Sequence, residues 1–267
     1  MKFSSFCVSV GFILSLLFTA CEKDNSGLIS REQETELGRK IDSIITGNTS
    51  EFDILDTAIF KYAYAFIDTI TDEILKSGYI TRKAAFGYQI RIIENEGLHA
   101  FAAPGGYIYL YTGLLKFIDN GSQFAGLLAH LIAHIDRRHL TLNIEQRFGI
   151  DPLMEITLFG NHSVLPEITG YIYTTESYGK YSAAQETEAD EHAVKYTSGT
   201  DYDARGIAEF YDRLSQLTGE EPSFSFIHSD YGNRAEKIYS VWEELKSLEG
   251  SLFEKEYRVF RLSLPGN

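Results

Sequence analysis

Within the segment Leu128-Ala129-His130-Leu131-Ile132-Ala133-His134, two histidines stand four residues apart in an otherwise apolar, helix-like run. On a helix at about 100° per residue, His130 and His134 lie about 40° apart, so their imidazoles can grip one metal ion. Position 131 faces the same site. A glutamate there would act as general base for a metal-bound water, whereas Leu131 can neither accept a proton nor orient a water. The run therefore offers a metal site without its catalyst. A histidine on an apolar helix face is more often a satisfied core residue, so the ligand reading needs other residues.

Some fifty residues on, Glu186-Thr187-Glu188-Ala189-Asp190 lies in a second run, Ala183 to Tyr196, of good helix formers with apolar residues at Ala189, Ala193 and Val194. Glu186 and Asp190 share a face. Two histidines and one glutamate are a usual ligand set for catalytic zinc, with a fourth position open for water. Asp190 would then hold a ligand imidazole by its other ring nitrogen. Without the histidine pair, the run would read as a solvated acidic face.

The stretch HAFAAPGGYIYLYTGLLKFIDNGSQFAGLLAHLIAHIDRRH, residues 99–139, closely resembles metallopeptidase family forty-eight, the BepA-like, HtpX-like and CAAX-prenyl-protease-like zinc endopeptidases. The family pattern runs NAFALPGGYIYVYTGLL, then LAHEIAHVxxRH. Gln33 to Gly38 is similar to the family's first motif, Tyr181 to Asp190 to YSRxxExEAD, and His228 with Arg234 to THPxxxxR. The likeness runs over residues 29–247. It implies an α+β fold, a mostly helical zincin-like domain with a small mixed sheet. It also implies zinc on His130, His134 and Glu186, Asp190 behind a ligand, His228 and Arg234 lining the cleft, and Pro104-Gly105-Gly106-Tyr107 at its rim.

The departures fall at chemically important places. Leu131 stands where the family has its catalytic glutamate, His99 where it has asparagine, Ala183 where it has the arginine of YSRxxE, and Ser229 where it has the proline of THP. Between Gly149 and Gly179 the chain is rich in Tyr, Thr and Ile where many relatives carry a small-residue apolar helix, so the region over the cleft is expected to be rebuilt.

Residues 1–20 read as a secretory signal, with Lys2, an apolar stretch to Leu17, and Phe18-Thr19-Ala20 before Cys21. Leu17 to Cys21 resembles a bacterial lipobox, which implies lipidation at Cys21 and stable anchoring by several acyl chains. An ordinary signal peptide or an uncleaved anchor are the alternatives. Cys7 is the other of two cysteines and would leave with the signal, so the mature chain is expected to be stabilised by its core alone. With Lys2 gone, 23 basic residues face 38 acidic ones, a net charge of −15. That argues against nucleic acid and against electrostatic docking on anionic lipid.

Residues 21–28 form a short polar linker with the turn-like Asp24-Asn25-Ser26-Gly27. Periodicity predicts helices over Arg31–Ile45, Leu55–Lys76, Ser122–Arg147, Ala183–Thr197, Ala204–Thr218 and Arg234–Leu248. Strands are predicted at Ala85–Ile93 and, after the Pro104-Gly105-Gly106 turn, at Tyr107–Tyr111. Tyr107, Tyr109 and Tyr111 serve either ordinary sheet packing with exposed rings or, by the resemblance, a cleft rim where an extended peptide adds as a strand. Alternation at Tyr257 to Leu262 predicts that residues 248–267 are a terminal strand or arm. His139, after Arg137-Arg138 at a helix end where basic groups suit the dipole, reads as structural. His162 receives no role.

Three functions from different classes follow. The first is an envelope lipoprotein, a zinc-binding pseudopeptidase that holds unfolded or outer-membrane polypeptides without cutting them. The second is an active metallopeptidase in which Glu188 or Asp190 replaces the missing base. Asp136, about 240° round the helix from His130, is poorly aimed for that task. The third is a metal-free interaction domain whose ligand residues are relics.

Overall fold

The computed structural model describes residues 27–81, 86–174, 181–216 and 231–266. Cys21, the signal segment and His228 lie outside them. The expected α+β class holds: helices predominate around a three-stranded mixed sheet.

Helix α1 (Arg31–Gly47) starts where Ser30 and Gln33 cap each other's backbone, and it buries Leu37, Ile41 and Ile45 at a spacing of four. Helix α2 spans Lys61–Lys76, starting later than its periodicity suggested. Leu55 donates its N–H to Ile92 O instead, and Asp56 Oδ1 accepts from Ala58 N and Ile59 N, a turn that postpones the helix.

Strands β1 (Gln89–Ile93), β2 (Ala100–Ala103) and β3 (Tyr107–Tyr111) lie in the order β1-β3-β2. β3 runs parallel to β1, with Gln89 opposite Tyr107, and antiparallel to β2, with Ala100 opposite Leu110. Period-two alternation sends Ile108 and Leu110 to one face and Tyr107 and Tyr109 to the other. Each face enters a separate apolar cluster. The tyrosines are therefore not exposed: Tyr109 is fully buried and donates its hydroxyl to Asp42, which also receives Arg91. Because β3 is the central strand, a peptide has no ladder to join there. The outer strands are β1, bridged at Ile93 by Ile54, and β2, whose residues are all buried.

The Pro104–Gly106 turn is an internal joint. Gly105 and Gly106 take positive φ (77° and 96°), and Pro104 O lies so close to Gly38 of α1 that a Cβ there would sit 1.8 Å away. Only Pro104 of this quartet lines the narrow cavity beside His134 that Tyr181 and Ala102 share, a space of ≈ 10 Å³, about one water. Gly105, Gly106 and Tyr107 are buried against α1 and residues 86–88.

After α3 (Thr112–Phe117), the single helix expected over Ser122–Arg147 is two, α4 (Gly121–Asp136) and α5 (His139–Phe148), broken by the left-handed residue Arg138. Every residue of α4 is buried. The Tyr- and Ile-rich segment forms α6 (Ile150–Met154), a π-helical turn (Glu155–Phe159) and α7 (Leu165–Tyr173), packed on the tyrosine face of the sheet. Then come α8 (Ala183–Thr197), with the bounds its pattern gave, α9 (Gly206–Ser215) and α10 (Tyr231–Glu244). The C-terminal strand or arm is corrected to a helix, α11 (Glu254–Leu262). Its buried residues Tyr257 and Phe260 stand three apart, and Leu264, just past its end, follows four on. Phe260 stacks on Phe66 of α2, and the Tyr257 hydroxyl donates to Leu115 O.

Candidate metal centre

Helices α4 and α8 pack together, and each carries buried alanines of the same core cluster, Ala129 and Ala133 on one and Ala189 and Ala193 on the other. Small residues let the two axes approach, so side chains from both can meet. Asn120 caps α4 and Ser182 caps α8 in a box with Gln185, which fixes the register of each helix start.

The structure brings the three proposed ligands together. His130 and His134 place their Nε2 atoms 3.0 Å apart, with Glu186 Oε2 3.7 Å from the first and Oε1 3.8 Å from the second. Tetrahedral zinc with nitrogens at about 2.0–2.1 Å would separate its donors by roughly 3.3 Å. The set fits such an ion, and it is the group of His, Cys, Asp and Glu residues that could hold a metal among the described residues. Exposure is 0% for His130, 1% for His134 and 2% for Glu186. Burial, reinforced by the neighbouring His130, His139 and Arg234, keeps the His134 imidazole far below its ordinary pKa, hence neutral and competent as a ligand.

Asp190 lies behind this set, with Oδ1 3.0 Å from His130 Nδ1. Arg234 donates to both Asp190 oxygens at 2.8 Å and to the Tyr211 hydroxyl, and its Nη2 is 3.0 Å from Glu186 Oε2. Burial pushes the Asp190 carboxyl up, but the bonds from His130 and Arg234 outweigh it and hold it below the usual value. Arg234, expected along the cleft, is itself buried and ties a ligand carboxylate to the aspartate behind the other ligand.

Leu131 is 3% exposed and belongs to the core cluster around α4. The acidic groups considered in its place are engaged elsewhere. Glu188 receives Arg137 at 2.6 Å and His139 at 3.2 Å. Asp136 accepts from Thr81 and Tyr196, away from the ligands as its helical angle required. Glu34, in the wall of the small cavity, takes Arg138 at 2.8 Å and Thr141 at 2.5 Å.

Sequence reasoning missed two neighbours of His134. Tyr181 stacks on its ring, with centroids 3.8 Å apart. His139 places Nδ1 3.0 Å from His134 Nδ1. Tyr181 was visible only as one letter of a motif, and no periodicity pointed to His139, because its position depends on the break at Arg138.

The profile of Peptidase family M48 matches residues 65–242, about two thirds of the chain. A beta-barrel assembly-enhancing protease of Yersinia pestis is 23% identical over 65% of this chain and 39% of its own length. The protein of that name from Escherichia coli K12 is 25% identical over 55% of this chain and 34% of its own. The mitochondrial metalloendopeptidase OMA1 of Arabidopsis thaliana is 23% identical over 50% and 27%. The chain thus spans between about a quarter and two fifths of the length of these relatives. With both ligand helices inside the matched span, the chain belongs to Peptidase family M48.

Proposed function

We propose that this protein is a zinc-binding pseudopeptidase, a lipid-anchored envelope protein that retains a peptidase domain to hold unfolded or β-barrel polypeptides rather than to cleave them. One observation carries the reading: beside a fitting His₂Glu set stands Leu131, and each carboxylate that could replace the missing base is bound to other partners among the described residues.

Bound zinc would polarise a carbonyl and lower the pKa of its water. The chain's own residues do the rest: His130 and His134 offer neutral nitrogens, Glu186 offers charge, and Arg234 steadies Glu186 and Asp190 together. None of these takes a proton at position 131. Losing a positioned general base costs typically 10²–10⁴-fold, about 3–5 kcal/mol of barrier. Glu188 is a poor substitute, since Arg137 and His139 occupy both of its oxygens.

The client class is supported by the relatives named for enhancing β-barrel assembly. Anchoring is supported by the Leu17 to Cys21 stretch, and no helix among the described residues is long and apolar enough to cross a membrane.

Restoring the base tests the reading. Leu131→Glu should gain chelator-sensitive cleavage of casein that the wild type lacks. A zinc-loaded Leu131→Glu protein that stays silent would mean that more than the base is missing, with Ala183 and Ser229 the first positions to revert.

A further inference from the structure

On an unbroken helix, residue 139 would stand about 140° round the axis from His134, out of reach. The chain instead breaks at Arg138, whose φ of 60° and ψ of 22° are uncommon for a residue with a side chain. Its guanidinium donates to Glu34 Oε2 at 2.8 Å and to Ile29 O at 2.9 Å, and these bonds hold the break. The consequence is local. His139, the first residue of α5, folds back so that its Nδ1 lies 3.0 Å from His134 Nδ1 and its Nε2 3.2 Å from Glu188 Oε2.

The carboxylate end of this chain of bonds fixes the polarity at His139. Glu188 Oε1 receives Arg137 Nε at 2.6 Å, and an ionised carboxylate can only accept. His139 must then carry its proton on Nε2 and present a bare Nδ1. His134 then satisfies that bare nitrogen by donating from Nδ1, which leaves its lone pair on Nε2, 3.0 Å from His130 Nε2; the opposite tautomer would donate to His130 instead and set two bare Nδ1 atoms 3.0 Å apart. We propose that His139 is a positioning residue: backed by Glu188 and Arg137, it holds His134 in the single tautomer that offers Nε2 to a metal. His130 has a shorter version of the same device, since Asp190 stands directly against its Nδ1 and Arg234 holds Asp190. One ligand is oriented by a carboxylate, the other by a carboxylate acting through a second imidazole.

The consequence for metal rests on the zinc-binding reading above, whereas the tautomer is a property of the metal-free protein, so the two can fail separately. Long-range ¹H–¹⁵N correlation spectra of the metal-free protein at neutral pH should show the His134 proton on Nδ1 alone. His139→Ala should give a mixed or reversed His134 tautomer. His139→Asn should restore the wild-type pattern, because its Oδ1 can accept from His134 while its Nδ2 donates to Glu188. In zinc competition titrations, His139→Ala should bind about 10–100-fold more weakly, with much of the loss recovered by His139→Asn. A wild-type protein that binds no zinc would remove the metal reading and leave the spectra to decide the tautomer. If His139→Ala does not fold, Glu188→Ala, on a side chain 32% exposed, removes the fixed end of the chain and should mix the tautomer likewise. The proposal is overturned by a wild-type proton on Nε2, or by a His134 tautomer unchanged in the folded His139→Ala or Glu188→Ala protein.

Discussion

Leu131 and Asp190 show how different two buried residues beside one ligand pair can be. Leu131 contributes apolar packing and no proton chemistry. Asp190 is held ionised by His130 and Arg234 and stands 3.0 Å from the Nδ1 of a candidate ligand. Replacing His134 by Ala should therefore abolish stoichiometric zinc, measured by elemental analysis, while Asp190→Ala should weaken binding by about 10–100-fold. Retention of zinc by His134→Ala would place the metal elsewhere. The ligand set was legible in sequence because His130 with His134, and Glu186 with Asp190, each repeat at four on a helix, a spacing that survives any detail of packing. The partners of those ligands were not. Arg234 reads as a cleft residue in one dimension but is buried between two carboxylates, and His139 reaches His134 only because Arg138 leaves the helical region.

At the level of elements, α8 and β3 followed their patterns closely, since capping and alternation are local signals. The break between α4 and α5 carries neither Gly nor Pro, and its cause is tertiary: Arg138 reaches Glu34 and Ile29. Helix α11 was misread because its arginines suggested alternation, while its buried residues Tyr257 and Phe260 stand three apart. Phe260→Ala should cost about 3–5 kcal/mol, a fall in Tm of roughly 6–20 °C in thermal melts. An unchanged Tm would mean that α11 does not dock on α2. Gly38→Ala tests the joint between α1 and the Pro104 turn. Helix propensity favours alanine by about 1 kcal/mol, but the new Cβ meets Pro104 O, a backbone atom that cannot rotate away. Overpacking at about 1–3 kcal/mol should win, and the variant should be less stable in urea. Where α4 meets α9, the buried Asp203 carboxyl is raised by burial but lowered further by the Arg205 guanidinium, and the net shift is downward. A depressed folded pKa stabilises the protein above the unfolded value of about 3.9, and that contribution is lost as pH falls through the folded value. Arg205→Ala should thus move the acid-unfolding midpoint to higher pH.

For the whole molecule, the sheet divides two apolar clusters, and the ligand helices α4 and α8 lie in the cluster on its Ile108 face. The candidate metal-holding group is built into the core, so its three residues also serve as packing elements. Anchoring is tested separately: a palmitate analogue should label the wild type and not Cys21→Ala, and equal labelling would end the lipoprotein reading. One preparation of the wild-type protein tests whether a complete metal site stands without a base. Zinc content and casein cleavage, with and without chelator, should be measured on the same sample. About one zinc per chain and no cleavage above the chelated control are expected. Chelator-sensitive proteolysis by the wild type, abolished in Glu186→Ala, would contradict the pseudopeptidase reading.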